Sequence, residues 1–150
     1  MNSGWYKSPI GILKIVAEDE FIVEINFVDN IFEENMNDTI LKCKKQLEEY
    51  FAGNRQCFNI KIKYNIGTEF QKLVWKELEN IPYGKVVSYK YIAEKINNAK
   101  AVRAVGGANN KNPISIIVPC HRVVGSSGKL VGYAGGIDKK EFLLKLETMK

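Results

Sequence analysis

The sequence predicts an α+β fold in two parts: a small α+β layer in residues 1–65 and a mainly helical domain in residues 66–150. Alternating apolar residues near the start are typical of strands, whereas the later segments show helical periodicity with capping residues. The balance of charge also changes near residue 66. With 150 residues, 45% hydrophobic and 26% charged, the chain is long enough to bury a core and is not a disordered tail.

The N-terminal part is predicted to hold a β-meander, a helix and one further strand. Residues 5–28 alternate apolar and polar side chains around a turn at Asp19, which indicates two or three strands. A helix is expected from Asn37 to Phe51, capped by its first residue or by Asp38. A strand from Cys57 to Ile62 is expected to follow.

The second part is predicted to open with two helical patterns and a helix-turn-helix arrangement. Thr68 and Gln71 form a capping box at the start of a helix. Its expected buried side holds Phe70, Leu73, Val74, Trp75 and Leu78. Ser88 then caps a helix that ends near Ile96, and a turn at Asn97-Asn98 leads to a helix over residues 99–108. This last helix is rich in alanine and glycine, so its backbone could approach a partner closely.

The last third is predicted to contain a buried strand, a loop and a final helix. The strand, Ile114–Val118, runs straight into Cys120, so the thiol is expected where a strand ends. Glycines punctuate the loop over residues 125–136, which is long enough to form a pocket wall. The final helix is expected to use Asp138 and Glu141 as cap residues. Its expected inward side chains are Phe142, Leu143 and Leu146.

Charge divides the chain into an acidic and a basic part. Residues 1–66 carry 8 basic and 10 acidic side chains, and residues 67–150 carry 14 basic and 7 acidic ones. The segment from Lys85 to Lys129 holds eight basic residues against Glu94 alone. Such a footprint suits a polyanion such as nucleic acid, although an ordinary soluble basic surface is an equally good reading of charge alone.

The cysteine count and the apolar segments restrict the protein class further. No apolar stretch approaches the roughly 20 residues of a membrane-spanning helix, and no secretory signal follows the first residues, so we expect a cytoplasmic protein without membrane contacts. Three widely spaced cysteines, Cys43, Cys57 and Cys120, do not suit a disulfide framework. With His121 as the single histidine, we expect neither a metal nor a cofactor.

Cys120 is the candidate nucleophile because a histidine follows it directly. A thiol attacks only as the thiolate, and His121 could take its proton; neighbours on an extended chain point apart, so a bridging water is expected. Glu147 on the final helix is the most plausible acid to orient the histidine, with Glu94 and Glu141 as alternatives. Taken alone, a Cys-His dipeptide is more often structural than catalytic. Cys43 and Cys57 have no base nearby in sequence and are interpreted as structural.

The surrounding motifs resemble those of the methylated-DNA-protein-cysteine methyltransferases, also called O6-alkylguanine-DNA alkyltransferases. The resemblance lies in Pro119-Cys120-His121-Arg122-Val123, in Arg103-Ala104-Val105-Gly106-Gly107-Ala108 with Asn112-Pro113, in Gly132-Tyr133-Ala134-Gly135-Gly136 and in Ile81-Pro82-Tyr83-Gly84-Lys85-Val86. It extends from Gly67 to Glu147. Residues 1–63 look compatible with the family's ribonuclease-H-like N-terminal domain, and a winged-helix-like domain with the helix-turn-helix would follow. The zinc-binding residues of some family members are missing.

The resemblance implies a role for each residue of the site. Cys120 would take the alkyl group from O6 of guanine, His121 would act as base through water, and Glu147 would orient it. Asn112 would hold the site geometry by hydrogen bonds. The pocket would be lined by Tyr133, Ala134, Gly135 and Val123. Because some members have serine where this chain has Ala134, any hydrogen bond to O6 would come from backbone amides here.

The resemblance also implies contacts with duplex DNA. Arg103 would enter the base stack when the damaged nucleotide is flipped out, and Tyr89 would lie beside the 3′ phosphate and donate to the guanine ring. Further DNA contacts are expected from Lys100, Ala101, Gly106 and Arg122. The expected partner is double-stranded DNA that contains O6-alkylguanine, with O4-methylthymine as a second candidate substrate, and the expected state is a monomer.

The chemistry predicts a protein that acts once. Thiolate attack on a methyl carbon gives a thioether, which has no polarised carbonyl through which water could release the cysteine. Two other functions compete with this one. A Cys-His hydrolase would turn over and be indifferent to DNA, and a winged-helix module with a vestigial site would bind alkylated DNA without repairing it.

Overall fold

The computed structural model describes residues 1–133 and 135–148. The chain divides into two compact units, Met1–Asn65 and Ile66–Lys150. The fold is α+β, as predicted: the first unit holds a small sheet and a helix, and the second is mainly helical. Within the described residues, none of the helices has the length and apolar character needed to cross a bilayer.

The first unit is an antiparallel meander packed on one helix. Strands β1 (Asn2–Ser8), β2 (Gly11–Glu18) and β3 (Phe21–Val28) pair in the order β1-β2-β3, so the predicted meander is confirmed. Helix α1 (Asp38–Phe51) is capped by Asn37, whose Oδ1 accepts from the Ile40 amide at 2.9 Å. The core of this unit comprises Leu13, Ile15, Ala17, Ile22 and Ile25 from the sheet with Ile40, Cys43, Leu47 and Tyr50 from α1.

The strand predicted over residues 57–62 is wrong. This segment makes only a single bridge, in which the Ile22 amide donates to Lys61 and the Lys63 amide donates to Ile22, at 2.9 and 3.1 Å. Instead, the Gln46 side chain binds both backbone groups of Asn59. Its Oε1 accepts from the Asn59 amide at 2.9 Å, and its Nε2 donates to the Asn59 carbonyl at 3.3 Å. A side-chain amide therefore takes the place of a strand partner.

The second unit opens with the predicted capping box. Helix α2 (Glu69–Leu78) begins after Thr68, whose Oγ1 accepts from the Gln71 amide at 3.1 Å while the Gln71 side chain accepts from the Thr68 amide at 2.9 Å. Val74, Trp75 and Leu78 are buried, but Leu73 is 54% exposed, so its predicted burial is wrong. Phe70 is half-buried.

A helix-turn-helix follows, as predicted. Helix α3 (Tyr89–Lys95) is capped by Ser88, and helix α4 spans Val102–Asn110. The turn between them contains Asn97 in the left-handed region, with φ 58°. Helix α4 begins later than predicted because the Ala101 amide still donates to the Asn98 carbonyl of the turn, at 2.9 Å. The Trp75 indole nitrogen on α2 donates to the Ala108 carbonyl on α4 at 2.8 Å.

The buried segment before Cys120 is a folded loop and not the predicted strand. Its single bridge joins Ser115 to Val118, and the Val118 amide donates to the Ile114 carbonyl at 3.0 Å. Ile116 has φ 72°, a conformation that β-branched residues rarely adopt. A 3-10 turn over Cys120–Arg122 follows this loop, so the thiol begins a turn and does not end a strand. Strand β4 (Val87–Ser88) pairs in parallel with β5 (Val123–Val124), which continues from the turn.

The last helix, α5 (Ile137–Thr148), buries a different face from the predicted one. Lys140, Leu143 and Glu147 are buried, whereas Phe142 is 36% exposed and Leu146 is half-buried. Glu141 lies inside the helix and pairs with Lys145 at 2.9 Å, so it is not a cap residue. The buried residues at positions i, i+3 and i+7 share one side of the helix.

Replacing Gly67 should destabilise the second unit. Its φ is +107°, and an added Cβ would lie 2.5 Å from the Trp75 ring. We expect Gly67→Ala to lower the free energy of unfolding by about 2–5 kcal/mol, the sum of backbone strain and overpacking. The control Gly128→Ala, at φ +81° with nothing within 4 Å of the added Cβ, should lose only the backbone part, about 1–2 kcal/mol. Urea unfolding followed by circular dichroism measures both, and equal losses would contradict the close packing.

Candidate active site

Cys120 lies at the start of the 3-10 turn with 3% of its surface exposed. Its carbonyl accepts from the Asn109 Nδ2 on α4 at 3.3 Å. Burial raises the pKa of the Cys120 thiol to about 11, although hydrogen bonding to Asn112 and the charge of Lys140 act in the opposite direction. The sulfur is therefore a thiol near neutral pH, and a base must remove its proton before it can attack.

Asn112 closes the loop that leads to Cys120. Its Oδ1 accepts from the Ile114 amide at 2.9 Å, and its Nδ2 donates to the Val118 carbonyl at 2.8 Å. Both bonds are buried, where an unpaired backbone group is costly. They also hold Ile116 in its left-handed conformation, which costs on the order of 1–3 kcal/mol. The structure thus places Asn112 where it can fix the backbone before the thiol.

A buried ion pair joins the reactive turn to α5. The Arg122 guanidinium donates from Nε to Glu147 Oε1 at 2.8 Å and from Nη2 to Oε2 at 2.9 Å, and its Nη1 donates to the Ile81 carbonyl at 2.7 Å. Both side chains are almost fully enclosed. Two parallel bonds from an arginine need both oxygens as acceptors, so Glu147 is a carboxylate here.

The carboxylate determines which nitrogen of His121 carries the proton. His121 Nε2 lies 2.7 Å from Glu147 Oε2. Because an ionised carboxylate only accepts, Nε2 must be the protonated nitrogen and Nδ1 the basic one. Nδ1 is buried and has no hydrogen-bond partner among the described residues. The lone pair of Nδ1 is thus left available for a proton.

Burial keeps this imidazole neutral near pH 7. Removing the ring from water lowers the pKa of His121 below its usual value, although the hydrogen bond and the charge of Glu147 partly oppose this effect. Arg122 and Lys140 lower the pKa further through their positive charges. A neutral base beside a neutral thiol is the arrangement that proton transfer requires.

The predicted pocket residues lie in the turn and in the loop after it. Tyr133 is buried, with a pKa raised well above its usual value by burial and by the neighbouring Cys120. Val123 is buried in β5, and Gly135 is half-buried. Ala134 lies outside the described residues. The Tyr89 hydroxyl at the start of α3 donates to the Val131 carbonyl of the loop at 2.9 Å.

The predicted DNA-contacting residues fall into two groups. Lys100, which precedes α4, and Arg103, in its first turn, are exposed, as are the small residues Ala104 and Gly107 of the same helix. Ala101 and Gly106 are half-buried, and a Cβ on Gly106 would lie 3.9 Å from the Tyr89 ring. The first group forms an exposed basic surface, whereas Gly106 lies on the side of α4 that faces the Tyr89 ring of α3.

Arg122 does not lie on this surface. It was predicted to bind DNA, but it is 7% exposed and its guanidinium is engaged by Glu147 and Ile81. Since all three of its nitrogens donate inside the protein, we correct its assignment from DNA contact to support of Glu147. The alternative acids Glu94 and Glu141 are exposed and make no hydrogen bond to His121.

Two further residues reach the site without having been predicted. Asn109 holds the Cys120 carbonyl, and no local pattern distinguishes it from the exposed Asn110 beside it. Lys140 is fully buried on α5 and interacts electrostatically with Cys120. Its helical spacing from Leu143 and Glu147, which share its face, could have revealed it.

The other two cysteines lie in the first unit. Cys43 is buried in α1, and burial raises its pKa to about 12. Cys57 is exposed, and all three cysteines are free. Among the described residues, no group of three or more histidine, cysteine, aspartate or glutamate side chains is placed to hold a metal ion.

Two family models together cover nearly the whole chain. Residues 69–149 match the 6-O-methylguanine DNA methyltransferase DNA binding domain, and residues 1–64 match the ribonuclease-like domain of the same family. The chain belongs to the 6-O-methylguanine DNA methyltransferase family. It is therefore a methylated-DNA–protein-cysteine S-methyltransferase, an enzyme class that transfers alkyl groups from DNA to a protein cysteine.

Relatives and solved structures agree with this membership. The methylated-DNA–protein-cysteine methyltransferase of Methanosarcina acetivorans is 49% identical over 150 residues, covering 95% of each chain. The enzyme of the same name from Mycolicibacterium paratuberculosis is 45% identical, covering 93% of this chain and 88% of the other. The crystal structure of Mycobacterium tuberculosis OGT in complex with DNA is 42% identical with a TM-score of 0.89, covering 97% of this chain and 91% of that one.

The methyltransferase should lose activity in acid as His121 becomes protonated. Because burial lowers the pKa of His121, the rate constant for methyl transfer should stay level around neutrality and fall only below pH 6.5, the ordinary histidine value. Single-turnover rates across pH with methylated duplex in excess measure this directly.

Glu147→Gln should shift this acid limb to lower pH and reduce the plateau about tenfold or more, since it removes the charge that supports an imidazolium. The exposed Glu141→Gln on the same helix is the control and should leave the profile unchanged. A wild-type midpoint above pH 6.5, or an unaltered profile in Glu147→Gln, would contradict the assignment.

Proposed function

We propose that this methyltransferase repairs duplex DNA by moving the alkyl group from O6 of guanine to Cys120, in one irreversible step per chain. The observation that carries the proposal is the buried hydrogen-bond network from Arg122 through Glu147 to His121. It leaves a neutral imidazole nitrogen available in the residue that follows Cys120. The exposed, arginine-bearing helix α4 lies next to this turn through the Asn109 bond.

The proposed reaction begins with the thiol proton. His121 Nδ1 takes this proton through a bridging water, and Glu147 stabilises the imidazolium that forms. The thiolate attacks the alkyl carbon, a C–S bond forms, and the bond between that carbon and O6 breaks. The electron pair stays on the guanine, where the loop amides offer donors for the developing charge. The Tyr89 hydroxyl can join them by exchanging its bond to the Val131 carbonyl for one to the guanine.

The proposed DNA contacts follow from the exposed surface of α3 and α4. A base inside a duplex cannot reach the buried sulfur, so the nucleotide must flip out at a cost of a few kcal/mol. Arg103 is exposed and can fill the vacated space, and small residues on α4 let the backbone enter the groove closely. The exposed basic residues between Lys85 and Lys129 supply phosphate contacts, so binding should be salt-dependent and weakly sequence-specific.

The proposed working unit is one chain in the cytoplasm. Every side chain of the proposed site comes from residues 81–147 of a single chain, so a monomer is sufficient. Three free cysteines suit a reducing compartment. The thioether product has no route to hydrolysis, so each chain acts once.

Methyl transfer should stop at one methyl group per chain, and the group should be found on Cys120. With methylated duplex in excess, mass spectrometry should show a gain of one methyl on the Cys120 peptide and a plateau at one equivalent. Cys120→Ala should remove transfer and keep DNA binding. The control Cys57→Ala, which removes an exposed thiol, should transfer as the wild type does.

Each rival function predicts a different result in the same experiment. A Cys-His hydrolase would leave Cys120 unmodified and show no affinity for DNA. A binding module would bind the duplex and leave Cys120 unmodified. Either outcome would refute the proposed function, as would a steady rate beyond one equivalent.

Arg103→Ala should slow repair much more in duplex than in single-stranded DNA, because only the duplex must be unstacked. The matched control is Lys95→Ala, which removes one exposed positive charge from α3. It should weaken binding to both substrates to a similar, small extent. Single-turnover rates on the two substrates give the ratio of the duplex rate to the single-strand rate. If Arg103→Ala lowers both rates equally, Arg103 does not insert into the base stack.

A further inference from the structure

Lys140 is a buried charged side chain of α5 that the proposed mechanism does not use. It lies in the first turns of the helix and has no exposed surface. Lysine is almost never fully buried unless it is paired, because its ammonium loses its hydration. Within the described parts of the chain, none of the carboxylates lies within 4 Å of its Nζ. A buried ammonium without a carboxylate partner points to a functional requirement.

Its hydrogen bonds hold the loop that carries Tyr133. Nζ donates to the Val131 carbonyl at 2.8 Å and to the Gly132 carbonyl at 3.1 Å. The Val131 carbonyl also accepts from the Tyr89 hydroxyl, and the Tyr89 ring lies 5.9 Å from Nζ. The start of α3, the loop and α5 therefore meet at Val131.

Lys140 is also the uncompensated charge that interacts electrostatically with Cys120. The titratable or charged groups that surround Cys120 and Lys140 are Tyr89 from α3, Tyr133 from the loop, His121 and Arg122 from the turn, and Glu147 from α5. Burial raises the pKa of both tyrosines, so they are neutral. His121 is neutral, and Arg122 and Glu147 cancel each other. One positive charge is left, on Lys140.

We propose that Lys140 is a positioning residue for methyl transfer: its ammonium holds the Val131–Gly132 backbone in place and supplies the positive charge that stabilises the Cys120 thiolate as it forms. The proposal rests on the proposed function of Cys120. The same charge disfavours protonation of His121, so it keeps the base available while it favours loss of the thiol proton.

This role predicts that the rate of methyl transfer falls at alkaline pH, so that its pH profile has an alkaline limb. Burial lowers the pKa of Lys140 to about 8, and the charge of Cys120 partly opposes this effect. Above that pH the ammonium loses its proton, so the rate of transfer should fall. Tyr89 and Tyr133 cannot produce this limb, because burial raises the pKa of both hydroxyls above the ordinary tyrosine value.

Three variants test the role by their pH profiles. Lys140→Met removes the charge at similar length and should slow transfer at pH 7 at least tenfold, with no alkaline limb. Lys140→Arg keeps its charge at alkaline pH and should recover part of the rate while moving the alkaline limb upwards. The control Lys145→Met removes an exposed charge from the same helix and should leave the profile unchanged.

A second measurement separates this proposal from the proposed function. In a Cys57→Ala background, the rate at which iodoacetamide alkylates Cys120 at pH 7 reports its thiolate fraction without any DNA. Lys140→Met should lower this rate at least threefold, even if no methyl transfer were ever observed. Wild-type transfer and alkylation rates in Lys140→Met would overturn the proposal. If that variant does not fold, a wild-type profile that stays level to pH 9 would overturn it instead.

Discussion

The ion pair between Arg122 and Glu147 is the constraint on which the rest of the site depends. Burying two charges has a high cost in desolvation, and such a pair adds little to stability compared with apolar packing. Its effect here is to keep one carboxylate ionised where a histidine can donate to it. The position of the imidazole proton follows, and with it the identity of the basic nitrogen. Because Arg122 also binds the Ile81 carbonyl, the pair connects three separated segments.

The Cys120 thiol is protonated near neutral pH, and other side chains must ionise it before it can react. Burial makes Cys120 a weak acid and thus a poor nucleophile towards most electrophiles. The groups that can ionise it lie around it: a neutral imidazole on its own turn and an ammonium on α5. The loop closed by Asn112 fixes the sulfur relative to both. Such a thiol stays protonated until a base removes its proton.

Local signals in the sequence predicted most of the helices, whereas contacts between distant segments could not be predicted from it. Thr68 and Ser88 cap helices through bonds to residues three positions away, so a short window contains the whole interaction. The two strands that were wrongly expected have a common cause. In each segment a distant or flanking amide side chain, Gln46 or Asn112, takes backbone groups that a neighbouring strand would otherwise bind. Apolar composition alone cannot reveal that competition.

The same division applies to the site. Cys120 and His121 are neighbours, and the family motif identifies them together. Only the fold could assign Arg122. The sequence shows an arginine in a basic segment, and this pattern is the same whether its side chain contacts DNA or a buried glutamate. Lys140 was not predicted from the sequence, because lysine is usually exposed. Only its position on the same face of α5 as Glu147 indicates that it is buried.

His121 is the single histidine in the chain. Its two ring-carbon protons therefore have no imidazole neighbours to overlap with in a proton NMR spectrum. Because the ring adjoins the sulfur in sequence, conversion of that sulfur to a thioether should move both resonances. One spectrum of unlabelled protein would then give the ratio of spent to unspent molecules, without a radioactive substrate or an antibody.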